Sequence, residues 1–321
     1  MKKRIVDLRG TQPLLDIVSY GRGAGRLTRS QREQIARTIG HIPEVMVKVS
    51  GGARTLAGVE QHMDYIGREG ELGMDTDDRE RVQGRHFEQS LVRDWDLDLE
   101  ALANQTGRSI RGRRPPKLVH NIIFSMPPGT PAKAVYRAVR KFAREEFTLK
   151  HRYAMVLHTD EPHPHVHLVV KAVSESGQRL NIRKDTLRSW RRQFAENLRE
   201  LGVAANATER AVRGKSRGSK STPIYRANQR GESTHMQRME QAALESGMQV
   251  DRGKATLLRT REAVVAGWHA TANRLGGEGD HELARKVRQF IGRMSPVQTD
   301  LESLAAASLR PKEVPPPQKT R

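Results

Sequence analysis

The sequence predicts an α+β chain: a mainly antiparallel sheet with helices packed on it, followed by a helical C-terminal extension. Three observations carry this expectation. Four short segments read as strands: 44–50 (EVMVKVS), 119–125 (VHNIIFS), 153–158 (YAMVLH) and 165–173 (HVHLVVKAV). Between them lie segments with apolar residues every three or four positions, as on one face of a helix. The last two strands are separated by only six residues, 159–164, which suits a hairpin and so an antiparallel pair.

Each element has its own signal. A helix over about 55–68 carries the stripe Leu56, Val59, Met63, Ile66. Residues 70–100 reverse the local charge, with ten acidic against four basic residues, and read as an insertion with a helix in LVRDWDLDLEALA. The insertion, 70–117, closes on the basic loop RGRRPPK. A second helix over 132–146 turns Val135, Val139 and Phe142 inward. A third, over about 184–201, has the stripe Leu187, Trp190, Phe194, Leu198, Leu201. The order β-α-β-α-β-β-α argues for helices on one face of the sheet, in two layers. The expected organisation is a basic arm (1–40), a sheet domain (41–205), a basic linker (206–230), a helical region (231–310) and a disordered tail (311–321).

Composition narrows the function. The 321 residues carry 57 Lys+Arg against 37 Asp+Glu, a formal net charge of +20, which points to a polyanion and by default to nucleic acid. Cysteine is absent, so disulfides and cysteine-based zinc sites are excluded, in keeping with a reducing cytoplasm. Asp7, Arg9 and Asp16 interrupt any signal-peptide core, and no apolar run is long enough to span a membrane. A cytoplasmic protein without membrane insertion is expected.

The segment HTDEPHPHVHLVV (158–170) holds four of the chain's twelve histidines within ten residues. Residues two apart on a strand share a face, so His165 and His167 point one way and Val166, Leu168 and Val170 the other. If the two strands pair, His158 lies across from them, and three imidazoles converge on one patch of sheet. Three protein ligands leave coordination positions open, as in a catalytic metal site. Beside a basic surface such a site suits a phosphate ester. Asp160 can orient an imidazole, act as a base or simply make the turn. His163, between two prolines, reads as a loop residue.

These residues resemble the metal-binding motif of conjugative relaxases, the HUH-type nicking enzymes with one catalytic tyrosine. The resemblance is to the mobilisation branch that includes the agrobacterial T-DNA border endonuclease. Its pattern His-x-Asp-x4-His-x-His is met by His158, Asp160, His165 and His167. GVEQHMDYIGREGEL (58–72) places Tyr65 where that branch has its nucleophile, and HNIIFSMPPG (120–129) places Ser125 at its strand-end serine that contacts DNA. The resemblance covers about 44–205. The long segment before Tyr65 departs from it.

The resemblance implies a DNA relaxase that nicks one strand at a transfer origin, in single-stranded or supercoiled DNA. Tyr65 attacks the phosphodiester and retains a 5′-phosphotyrosyl link, for transfer of a conjugative plasmid or integrative element. It also implies a divalent metal, Mg²⁺ or Mn²⁺, on His158, His165 and His167, and His158 or Asp160 as candidates to take the tyrosine's proton. Accessory nicking proteins, a type IV secretion coupling protein and export attached to DNA belong to the same expectation. Arg113, Arg114, Lys184, Arg188, Arg213 and Lys215 are candidate phosphate contacts in the basic segments. A rolling-circle replication initiator shares the chemistry, but its histidine pair generally precedes the tyrosine. A non-catalytic, metal-braced DNA-binding protein is the alternative of another class, and a hydrolytic zinc enzyme of the His-x-His-x-Asp-His type fails on motif order. RGKS (213–216) has the ending of a phosphate-binding loop, but Glu209 stands where the required glycine should be.

Overall fold

The computed structural model describes residues 20–22, 25–99, 101, 115–216, 222–245 and 252–308. The chain divides into two compact units, one formed by Gly40–Ala207 and one by residues 20–39 with 208–308. Residues 1–19 of the expected arm, the basic positions Arg113 and Arg114, and the tail 311–321 lie outside the described residues.

The first unit is built on a six-stranded sheet: β1 (Met46–Gly51), β2 (Met74–Thr76), β3 (Arg81–Val82), β4 (Val119–Ser125), β5 (Tyr153–His158) and β6 (His165–Lys171). The spatial order is β1-β4-β6-β5-β2-β3, with every neighbouring pair antiparallel. Its helices are α2 (Leu56–Ile66), α3 (Phe87–Asp94), α4 (Ala132–Phe147) and α5 (Lys184–Glu200). The second unit holds α1 (Arg29–Ile39), α6 (Thr222–Gln229), α7 (Thr234–Glu245), α8 (Arg252–Gly277), α9 (His281–Gly292) and α10 (Asp300–Ser308).

Helices cover both faces of the sheet, not one as the element order suggested. On one face Val47, Ile122, Phe124, Met155, Val166, Leu168 and Val170 pack under α4 and α5. On the other, Val119, Ala154, Val156 and Val169 pack under Val59, Met63 and Ile66 of α2 and Phe87 and Leu91 of α3. The signal lay in β5, whose unbroken apolar run YAMVLH fits a strand buried on both sides better than a half-exposed one.

The insertion also differs from the sequence expectation. It opens with the β2–β3 hairpin, which extends the sheet beyond β5, and its helix begins at Phe87. Strands of three and two residues in a polar stretch carry too little periodicity to be read. Its acidic residues have an internal use. Arg152 pairs with Asp77 at 2.8 Å, Asp78 at 3.3 Å and Asp94, which ties the β2 turn and the end of α3 to the start of β5.

Two segments expected to be arm or linker are ordered instead. Residues 29–39 form α1, with Ile35 fully buried in the second unit's core beside Trp268, Val264 and Leu275. Arg32 holds Glu278 at 2.5 Å and Asp280 at 2.6 Å. Residues 208–216 belong to the same unit: Val212 is fully buried, and its carbonyl accepts from Trp268 Nε1 at 2.8 Å. A single buried apolar position per turn, flanked by charges, gives no signal until its partner helix is known.

Two outcomes follow for stability. Trp190 lies 1% exposed among Phe142, Phe147 and Phe194, so Trp190→Ala should destabilise the first unit by about 3–5 kcal/mol, read from the urea midpoint. His120 on β4 has a buried Nδ1 without a partner; burial, then Lys117 and Arg179, lowers its pKa to about 4. The unfolded chain therefore takes up this proton first, and the stability associated with neutral His120 is complete above about pH 6.5 and lost as pH falls towards 4. Replacing His120 with Phe should reduce the stability lost between pH 7 and pH 5 by about 2 kcal/mol.

Candidate functional site

The site forms where β5 and β6 turn into one another, on the face under α2. His158 and His165 are direct cross-strand partners, and His167 lies one step further along the same face. The ring centroids are 4.6 Å apart for His158–His167, 5.1 Å for His165–His167 and 5.2 Å for His158–His165. One ring nitrogen from each lies within 4.8 Å of the others. Strands with partners on both sides carry all three, so the backbone beneath them is fixed by ladder hydrogen bonds.

Hydrogen bonds set which nitrogen each ring offers. His158 Nε2 donates to the Ile66 carbonyl at 2.7 Å, leaving Nδ1 as its lone-pair nitrogen. His165 Nδ1 donates to the His163 carbonyl at 2.9 Å, leaving Nε2. His167 Nδ1 is buried with no partner. This carbonyl–imidazole arrangement is the support usual for metal-ligating histidines.

Burial favours the neutral form of two of the rings. Burial, then His158 and His165, pushes His167 down to about 3. Burial also lowers His158, with Arg68 and His165 adding to the effect and the Ile66 hydrogen bond opposing it. Neutral imidazole is the form that ligates, so the donor set and the partnerless His167 nitrogen fit a divalent cation.

Helix α2 brings Tyr65 to this place. Thr55 caps it by accepting from Gly58 N at 3.2 Å, and the fully buried Val59, Met63 and Ile66 seat it on the sheet. Tyr65 falls off that stripe and is 56% exposed. The other tyrosines with described side chains are engaged elsewhere. Tyr20 donates to Gln34 at 2.8 Å, Tyr136 donates to Asp75, and Tyr153 is buried.

Of the remaining expected residues, Ser125 is on the triad face: it pairs across the ladder with His165 on one side and Met46 on the other, and is 4% exposed. Asp160 ion-pairs with Arg68. Lys184 and Arg188 sit on α5, on the opposite sheet face, so the fold does not bring them to the triad, and Arg188 pairs with Asp185 at 2.8 Å. Arg213 and Lys215 belong to the second unit.

Sequence reasoning gave no role to Arg68 or His62. Arg68 sits with its guanidinium carbon 5.5 Å from the Tyr65 ring centroid. His62, one turn before Tyr65, has a buried Nε2 without a partner and a ring 6.4 Å from that of His167; burial lowers its pKa. The spacing His62–Tyr65 was an available signal for His62, since residues three apart on a helix share a side; Arg68 lies beyond the helix end in left-handed backbone and gave none.

Fold and site together are those of a histidine-triad domain with a single solvent-facing tyrosine. Residues 65–203 match the family model for the MobA/VirD2-like relaxase nuclease domain. Over these residues the chain is similar to relaxases of that type. It is 28% identical over 224 residues to the T-DNA border endonuclease VirD2 of Agrobacterium fabrum, covering 63% of this chain and 47% of that one. It is 28% identical over 189 residues to VirD2 of Rhizobium radiobacter, covering 53% and 43%. The chain thus spans under half the length of these relatives. The metal-free structure of the conjugative relaxase TrwC with oriT DNA aligns at 16% identity over 72% of this chain and 99% of that one, with a TM-score of 0.31. That overlay is too loose to add to an argument that rests on the sheet itself. Among the described residues no helix is long and apolar enough to cross a membrane.

Metal binding is measurable without DNA. Saturating Mn²⁺ at about 100 times its Kd should raise stability by about 2.7 kcal/mol. The increment should vanish in His165→Ala and His167→Ala, read as metal-dependent shifts in melting temperature. An unchanged increment in His167→Ala would place the ion elsewhere.

Proposed function

We propose that this protein is a DNA relaxase that nicks one strand by transesterification at Tyr65, with His158, His165 and His167 holding a divalent cation, Mg²⁺ or Mn²⁺. The observation that carries this reading is the His158–Ile66 hydrogen bond. It joins the triad to the residue next to the exposed tyrosine, which supports reading Tyr65 and the triad as one site. When bound, the ion supplies positive charge to the non-bridging oxygens of the scissile phosphate.

The chain's own residues do the rest. Tyr65 Oη forms a bond to phosphorus, and the bond from phosphorus to the 3′ oxygen breaks. The tyrosine retains the 5′-phosphate, and the phenol proton ends on the departing 3′-hydroxyl. One phosphodiester replaces another, so no nucleotide triphosphate is consumed and the strand can be rejoined. His158 has Nδ1 left after its bond to Ile66, and one nitrogen cannot both ligate and take a proton; this reading gives it to the cation. Ser125 pairs opposite His165, and this reading assigns it to the strand beside the nick. The net charge of +20 suits a DNA partner, which is expected to be single-stranded or supercoiled DNA at a transfer origin. Action with accessory nicking proteins and a type IV secretion coupling protein completes the proposal.

The test is adduct formation. Wild-type protein with Mg²⁺ or Mn²⁺ and supercoiled plasmid carrying the cognate transfer origin should give a protein–DNA adduct on a denaturing gel. Tyr65→Phe should abolish it with melting temperature unchanged. An adduct that persists would move the nucleophile to another residue. No adduct from wild type, with DNA binding indifferent to chelator, would make the protein a binding module braced by its triad.

A further inference from the structure

Residues 68–70 leave α2 in an uncommon way. Arg68, Glu69 and Gly70 have φ of 53°, 57° and 85°, three successive left-handed residues. Only the glycine adopts this conformation without steric cost; a Cβ at Gly70 would also lie 2.2 Å from the Gly84 carbonyl oxygen. Arg68 and Glu69 each cost roughly 1 kcal/mol there. Backbone hydrogen bonds from Glu69 N to Asp64 O (3.0 Å) and Leu72 N to Gly67 O (2.9 Å) hold the reversal in place.

The reversal directs Arg68 back over the end of its own helix. Its guanidinium lies 5.5 Å from the Tyr65 ring centroid and pairs with Asp160, the carboxylate of the loop that follows His158. Burial on its own would lower the Arg68 pKa; the neighbouring Tyr65 and the Asp160 carboxylate, which accepts a hydrogen bond from the guanidinium, outweigh it and raise the pKa. A permanent cation is thus fixed beside the phenol that must lose a proton.

We propose that Arg68 holds Tyr65 in its attacking position and stabilises the negative charge that develops on its oxygen, and that Asp160 acts on the reaction through Arg68 as a positioning residue. The inference rests on the nicking reaction proposed above. As the phenol proton leaves, the charge on Oη meets a guanidinium already in place, and no side chain has to reorganise. Asp160 anchors the guanidinium from the far side, which keeps Arg68 from swinging onto the DNA backbone. Asp160 is then neither a ligand-orienting group nor the base.

The experiment measures the rate of adduct formation by the full chain on an origin oligonucleotide for Arg68→Ala, Arg68→Lys, Asp160→Asn and the Arg68→Ala/Asp160→Asn double variant. Arg68→Ala should slow the adduct by about 10- to 100-fold. Arg68→Lys, or millimolar guanidinium added to Arg68→Ala, should restore part of the rate, which a lost structural contact would not allow. Asp160→Asn should slow the wild type yet leave Arg68→Ala no slower. Wild-type rates in Arg68→Ala would overturn the proposal. So would a defect relieved by neither lysine nor guanidinium, or effects of the two substitutions that multiply. Absence of an adduct from the wild-type protein is the separate result that removes the nicking reaction itself.

Discussion

The site depends on one hydrogen bond, from His158 Nε2 to the carbonyl of Ile66. The last carbonyls of a helix have no intrahelical partner, so Ile66 offers an acceptor that must be satisfied from outside. A histidine at the end of a central strand supplies the donor. That bond fixes the ring's tautomer, so Nδ1 is left for a ligand. It also anchors the C-terminus of α2 to β5, and so sets where Tyr65 stands. The approach is close: a Cβ on the neighbouring Gly67 would meet Phe87 of α3 at 2.7 Å. Apolar packing seats the helix, and one polar contact locates its end.

A chain with a net charge of +20 faces a difficulty at such a site, because a surface that attracts phosphate repels a metal cation. The solution here is burial of uncharged donors. Desolvation, then His158 and His165, lowers the pKa of His167, and desolvation lowers that of His158, with Arg68 and His165 adding to it. Among the described residues Arg68 lies beside Tyr65, and it is itself balanced by Asp160. Cation binding and phosphate binding can then share one patch of sheet.

Much of this was legible in the sequence, for identifiable reasons. A period of two placed His165 and His167 on one face, and a loop of six residues placed His158 opposite them. The stripe Leu56–Val59–Met63–Ile66 put Tyr65 on the open side of its helix. The roles of Arg68 and Ile66 were hidden, because a left-handed backbone at a non-glycine residue and a carbonyl acceptor leave no pattern in side-chain chemistry. The two-sided burial of the sheet was available in the continuous apolar run of β5 but was outweighed by the order of elements. Ile35 and Val212, lone apolar positions in charged surroundings, acquire meaning only through Trp268 and its neighbours.

Strand β5 shows how the charge is partitioned. At its start Arg152 gathers Asp77, Asp78 and Asp94. At its end His158 opens the triad, six residues on and so about 20 Å away along an extended strand. Asp77, Asp78 and Asp94 of the acid-rich insertion, which by composition alone conflicts with a polyanion-binding protein, are thus held at the far end of the strand that carries the site. These three carboxylates share one arginine that is only 21% exposed, where pairing counts for more than at an open surface. Beside the triad, Asp160 is compensated in turn by Arg68. Arg152 at one end and Arg68 at the other fix the loops that flank β5.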